Sequence, residues 1–451
     1  MTHINSEFAL KNGKGVVLTD TTAATFTSAS GEDMQEEQRE VKQKESLPEG
    51  GRRAWMAVVG VFLVQFCTFG YTNAYGVYND YYVRQYLVNS NTSSQISWIG
   101  SVQLWLVLSV GLFSGRAFDA GYFYHLMIGG ALLFEFSLFM VSITKPGQYY
   151  QLFLAQGVGL GIAIGIMYIP AIGIISHYFQ RRRALVIGLA TSGSAIGGAI
   201  HPIMLNKWFH GALGFHNGVR ASASMTFGLL VISLLLMRPQ YPKNAKKAPN
   251  TLRSFGTFLT EFPYVVMVLG TVATLAGLYY PIFFLQLNSI KIGINPNLAF
   301  YTIAILNGAS AVGRVIPNLL VGRFGAFNVI VPCVYLASIL IFCTLAVVNI
   351  EGTMIFAILY GFFSGAYASV LPAMVGTTAE NDSEIGARMG VCFTFTGFGG
   401  LIGTPIAGAL LSSSFIWWRP TAFAGICVFC GASCFLTTRI LLGLRKKTQW
   451  L

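Results

Sequence analysis

Apolar runs long enough to cross a bilayer recur twelve times along the chain, at residues 54–79, 97–115, 123–143, 150–174, 184–209, 219–237, 262–287, 298–321, 327–348, 353–375, 389–411 and 421–442. A spanning helix takes about 20 apolar residues, so the pattern predicts an all-α membrane protein with twelve transmembrane helices. The polar positions inside the runs carry more information than the apolar ones. In the eighth run Asn307, Ser310, Arg314 and Asn318 recur at spacings of three, four and four, which stacks them on one helix face. A guanidinium keeps its charge at any physiological pH, and at the centre of a membrane helix it costs about 2.5–3.5 kcal/mol. Arg314 must therefore face protein or water. It either snorkels and braces two helices or anchors an anionic group inside a membrane cavity, and the second reading is the expectation carried forward.

Two other polar interruptions are candidates for moving protons. Glu135, in LLFEFSLF of the third run, is the exceptional acidic residue within the spans, and its own face offers Ala131, Leu132, Leu138 and Phe139. Any partner has to come from another helix. His201 shares a face of the fifth run with Thr191, Ser194 and Gly198, just ahead of Pro202, and an imidazole titrates near physiological pH. The competing reading makes it a neutral ring holding a carbonyl that Pro202 leaves free. Glycines at 157, 161 and 165 in the fourth run permit close helix approach.

Composition changes the picture in what it excludes. The chain is 54% hydrophobic and only 10% charged, too little charge to cover a soluble surface. Its net charge of +12 is spread in short clusters between the apolar runs, which argues for topology signals and against nucleic acid. Counted over alternate loops from a cytosolic N-terminus, seventeen lysines and arginines fall inside and six outside, which predicts both termini in the cytosol. The sequon at Asn91 then lies outside and is a glycosylation candidate. The seven cysteines sit in apolar segments as small hydrophobes, with neither disulfide framework nor metal spacing, and no phosphate-binding GKS/T loop or cofactor motif occurs.

Residues 1–50 are polar and lack the apolar core of a signal peptide, so a disordered cytosolic tail is expected there. Residues 239–261, rich in proline and lysine, read as a linker between a six-helix bundle at 51–238 and another at 262–442, with a short tail at 443–451. The halves echo one another. Pro170 and Pro372 are 202 residues apart, Pro202 and Pro405 are 203 apart, and glycines accompany both pairs. Such duplication predicts a central site that rocks between two openings.

Gly115-Arg116-Ala117-Phe118-Asp119-Ala120-Gly121 resembles the G-x-x-x-D-x-x-G signature between helices two and three of the major facilitator superfamily, although Ala120 replaces the usual basic residue and the last glycine comes one position early. Pro48-Glu49-Gly50-Gly51-Arg52-Arg53-Ala54-Trp55, Phe69 to Asn73, Tyr178 to Ala184 and Gly313-Arg314 are similar to the fungal branch of its monocarboxylate-transporter-like family. The resemblance implies the major facilitator fold with two pseudo-symmetric six-helix bundles, and a role in gating for Gly115, Arg116 and Asp119. First helices of each three-helix unit line the cavity in this superfamily, which points to Asn73, Tyr75, Tyr280 and Asn307 as substrate partners beside Arg314. Third helices lie at its periphery, which weighs against Glu135. The lysine and aspartate used by animal members match Asn73 and Ser310 here, so the anion anchor is present without its usual proton acceptor.

The expected function is secondary active transport, not enzymatic catalysis: movement of a small organic anion, a monocarboxylate, by alternating access and coupled to protons. Export of a larger fungal secondary metabolite is the alternative, with Tyr71, Tyr75, Tyr279 and Tyr280 giving apolar contact, and a non-transporting nutrient sensor is a third. The expected setting is the plasma membrane, as a monomer.

Overall fold

The computed structural model describes residues 50–87, 92–180, 182–240, 256–379, 384–411 and 416–446. Among them are twelve helices long and apolar enough to span a membrane: α1 (Arg52–Tyr86), α2 (Gln95–Asp119), α3 (Phe123–Ser142), α4 (Tyr149–His177), α5 (Arg183–Phe209), α6 (Gly214–Leu236), α7 (Phe262–Lys291), α8 (Leu298–Phe324), α9 (Ala326–Ala346), α10 (Ile350–Gly376), α11 (Ile385–Leu411) and α12 (Trp418–Arg445). The expected spans are all present, and most run further than the apolar runs because their polar ends are helical too. At α2, for example, Thr92 caps the helix by accepting from the Gln95 amide at 3.3 Å, and the Gln95 side chain accepts from Thr92 at 3.0 Å. The sequon at Asn91, the tail up to residue 49, the middle of the linker and the last five residues lie outside the described residues.

The buried apolar side chains form two cores. One is built from α1 to α6, the other from α7 to α12 with Leu108 and Ile169 reaching in from the first half. Helix pairing repeats between the halves: α1 packs on α5 and α6 as α7 packs on α11 and α12, and α4 packs on α2 and α3 as α10 packs on α8 and α9. The bundles meet through α2 on α11 and α5 on α8, pairs related by the same pseudo-symmetry. With twelve spans, the start of α1, the linker and the end of α12 share one face of the membrane, called here the linker face.

Glycine sets how closely the helices approach. A Cβ on Gly193 or Gly197 of α5 would stand 2.2 and 2.5 Å from the carbonyl oxygens of Phe62 and Phe66 in α1. The second half repeats the contact through Gly399 and Gly403 of α11, each 2.2 Å from a carbonyl of α7. The fourth-run glycines serve as expected, with Gly157, Gly161 and Gly165 set against α2. Where α1 crosses α5 its helix is interrupted at Thr68 and again at Ala74. Thr68 and Thr72 each donate to the carbonyl four residues back, at 2.7 and 3.2 Å, a bond that bends helices.

One arginine counted above only as a topology signal turns out to be structural. Arg388, 1% exposed at the start of α11, grips Glu261 with a two-toothed pair at 2.9 and 2.6 Å and Glu384 at 3.2 Å. Its guanidinium lies 4.4 Å from the Phe258 ring centre, and Tyr264 donates to its carbonyl at 2.6 Å. The end of the linker, the start of α7 and the start of α11 are thereby one unit.

Two expectations follow for detergent-purified protein followed by thermal unfolding. Gly313→Ala, whose Cβ would lie 2.0 Å from the Phe362 carbonyl, should cost about 1–3 kcal/mol, whereas Gly308→Ala on the same helix, with nothing within 4 Å, should be neutral. Arg388→Ala, which leaves two carboxylates without their cation, should cost about 3–5 kcal/mol, and Glu384→Gln much less.

Candidate functional site

Arg314 sits on α8 where the two bundles meet. Its Nη1 donates to the Thr191 carbonyl of α5 at 3.2 Å, and its Nε has no partner. The approach depends on Gly188, since a Cβ there would lie 2.3 Å from the Arg314 carbonyl and 2.9 Å from the Asn318 side chain. Asn318 holds the helix behind the arginine, donating to the Arg314 carbonyl and to Ser369 Oγ, both at 2.7 Å. The side chain is half-buried. Among the described residues no carboxylate forms an ion pair with Arg314.

Aromatic side chains from both bundles surround this charge. Tyr168 of α4 and Tyr279 of α7 interact with it electrostatically. Tyr168 stands 4.7 Å from Phe69 of α1 and 6.0 Å from Phe393 of α11, ring centre to ring centre, while Tyr279 stacks on Phe283 at 5.6 Å. A cation with tyrosines of both bundles in its field, and with hydrogen-bonding capacity left over, is equipped to hold an anion.

Asn307 lies two turns along α8, about 10 Å towards the face opposite the linker. Its Nδ2 donates to the Gly198 carbonyl of α5 at 3.1 Å and to Ile303 at 3.1 Å. Gly198 is the residue whose carbonyl Pro202 leaves without a helical donor, so the gap made by proline is closed from the other bundle. Asn73 joins this contact: a Cβ on Gly198 would be 2.8 Å from Asn307 Oδ1 and 3.0 Å from Asn73 Nδ2. The structure thus brings Arg314, Asn307 and Asn73 to one seam along α5.

The remaining candidates are placed elsewhere. Tyr75 is two residues from Asn73, on the opposite side of a helix, and its hydroxyl donates to the Ile96 carbonyl of α2 at 2.7 Å. Tyr280 is one residue from Tyr279 and turns about 100° away, its hydroxyl 2.9 Å from Thr421 of α12. His201 is fully buried inside the first bundle, with Nε2 3.1 Å from the Phe66 carbonyl and its ring 5.1 Å from Tyr71. It holds a carbonyl of α1, not the one freed by Pro202. Glu135, 5% exposed, faces α1 and α6. On the linker face, Asp119 approaches the first turn of α11, where a Cβ on Gly386 would be 3.2 Å from Oδ2. A helix N-terminus favours such an anion. Gly115 packs on Ile169 one turn back, and Arg116 is half-buried beside it.

Position on the neighbouring helix, not residue type, is what the sequence reading missed. Thr191, Tyr168 and Phe393 acquire a role only because their helices converge on Arg314. Thr191 lies on the face of α5 that carries Gly198 and His201, but nothing in that pattern says which helix meets it.

The chain matches the model of the Major Facilitator Superfamily over residues 58–354. Among similar proteins are the MFS-type transporter dbaD of Emericella nidulans, 36% identical with 81% of each chain covered, and the aspyridones efflux protein apdF of the same organism, 35% identical with 82% of this chain and 74% of that one covered. The agnestins efflux protein AgnL12 of Paecilomyces divaricatus is 32% identical over 88% of both chains. Among solved structures, the fucose:proton symporter FucP of E. coli superposes with a TM-score of 0.62 at 16% identity, covering 86% of this chain and 98% of its own. Family model, curated relatives and helix arrangement agree, and the chain belongs to the Major Facilitator Superfamily of membrane transporters.

Proposed function

We propose that the chain exports an acidic secondary metabolite with a flat, unsaturated body, by alternating access between its two bundles. The observation that carries this reading is Arg314: a half-buried guanidinium between the bundles, with Tyr168 and Tyr279 close enough to act on it and no carboxylate among the described residues to neutralise it. The anion would replace the missing carboxylate, and the rings would supply the apolar contact from which most ligand affinity comes. Asn307 and Asn73 stand at the same seam, so a substrate that loosens their contact with Gly198 would also loosen α8 from α5.

Relatives named for efflux of aspyridones and agnestins support export over the uptake of a monocarboxylate that the sequence reading put first. Size argues the same way. A three-carbon acid would use the guanidinium and leave the aromatic walls empty. The positive-residue asymmetry supports a cytosolic linker face, and efflux supports the plasma membrane as the setting. Asp119 against the first turn of α11, with Gly115 and Arg116 behind it, is then the contact that separates when the carrier opens to the cytosol.

Transport into proteoliposomes tests the reading with a labelled aromatic carboxylic acid set against lactate and pyruvate. Wild type should move the aromatic acid and discriminate against the two small ones. Arg314→Ala should raise KM for the aromatic acid about tenfold or more, equivalent to about 1.4 kcal/mol, and Arg314→Lys, which keeps the charge and loses the planar fork, should fall between. Equal accumulation of lactate or pyruvate would restore the monocarboxylate reading, and an unchanged KM in Arg314→Ala would remove the anchor.

A further inference from the structure

The first bundle encloses a second polar cluster that the anion site does not use. Glu135 of α3 is 5% exposed, and neither carboxyl oxygen has a hydrogen-bond donor. Facing it from α1 are Cys67 and Tyr71, and from α6 Thr226. Where α4 packs on α3 it presents Gly159, Ala163, Ile166 and Met167, none of them titratable. His201 of α5 stands behind Tyr71. Further along α6, Arg220 bonds Ser142 Oγ at 3.4 Å and His216 bonds the Ser142 carbonyl at 2.8 Å, seven residues from Glu135 on α3.

A carboxylate kept from water and given no donor is too costly to persist as an ion. Thr226 decides how this one is satisfied. Its hydroxyl also lies 3.1 and 3.0 Å from the carbonyls of Ser222 and Ala223, so one donor has three acceptors to serve. A proton on the carboxyl removes that competition. Tyr71, which faces Glu135, is bonded by Ser222 at 3.3 Å and also bonds Tyr78 on the side away from the linker face, and Tyr82, one turn further along α1, separately donates to Gln156 at 2.6 Å. The Ser222, Tyr71 and Tyr78 hydroxyls, each able to donate and to accept, form one bonded row.

We propose that Glu135 is a proton-binding site of this carrier, served by the Tyr71–Tyr78 hydroxyls from the face opposite the linker, and that its proton is the coupling ion. The proposal rests on the export reading for what the proton drives. One O–H bond forms at a Glu135 carboxyl oxygen when the proton arrives and breaks when it leaves, and no other bond changes. In export, the proton enters from the outer side, crosses with Glu135 as the bundles rock, and leaves to the cytosol while the anion bound at Arg314 travels out.

Two measurements on the full chain test this, and the first needs no substrate. Infrared difference spectra of the purified protein between acid and alkaline pH should contain a protonated-carboxyl C=O band that Glu135→Gln removes and His201→Gln keeps. In proteoliposomes, an imposed pH gradient should stimulate wild-type transport of the aromatic acid severalfold, and Glu135→Gln should abolish that stimulation while substrate exchange at equal pH continues, which also certifies folding. A spectrum unchanged by Glu135→Gln overturns the proton site. Stimulation that survives Glu135→Gln, or that is lost in His201→Gln instead, overturns its role in coupling. Should wild type carry no aromatic acid, the export reading fails, and the infrared titration still decides the proton site.

Discussion

Lipid offers a polar group no partner, and the structure is shaped by where each such group finds one inside the protein. The Gly198 carbonyl, deprived of its donor by Pro202, is met by Asn307 from the other bundle. His201 closes on the Phe66 carbonyl where α1 is interrupted. Arg388 gathers two glutamates and two aromatic rings at the start of α11. Among the buried side-chain atoms of the described residues that lack a hydrogen-bond partner, those of Arg314 and Glu135 are the ones that belong to an arginine or a carboxyl group. In a membrane protein such leftovers mark where a solute or an ion completes the structure.

Duplication explains the frame, and its breaking explains the function. Both halves use glycine to bring their first and fifth helices together, and both place prolines at matching points. The interface pairs α2 with α11 and α5 with α8 exchange under the same relation, which lets one bundle rock on the other without choosing a side. The chemistry does not repeat. The guanidinium belongs to α8 of the second half and the buried carboxyl to α3 of the first, with the Tyr71 and His201 rings lying between α3 and the seam. On the proposed reading, the positive group at the seam takes the anion and the acidic one behind it takes the proton.

The relatives named for efflux change the weight given to the resemblance noted in the sequence. A monocarboxylate-like entrance to the first helix and an arginine in the eighth are compatible with several cargoes, because fold and motif describe the machine and the walls of the site describe what it carries. The side chains that act on Arg314 are the tyrosines at 168 and 279.

By itself the sequence determined the elements and their faces. Length and hydrophobicity alone require twelve spans, the period of 3.6 alone stacks Asn307, Ser310, Arg314 and Asn318, and closely spaced glycines alone announce tight crossings, because these follow from local geometry and the bilayer. Tertiary structure decided which neighbour in each pair looks inward. Tyr279 and not Tyr280 flanks Arg314, and Asn73 and not Tyr75 reaches the seam, since a step of one or two residues swings a side chain by 100° or more and only packing sets the phase. It also supplied the partners distant in sequence, Thr191 for Arg314 and Glu261 for Arg388, 123 and 127 residues away, because no local pattern encodes which helices will meet.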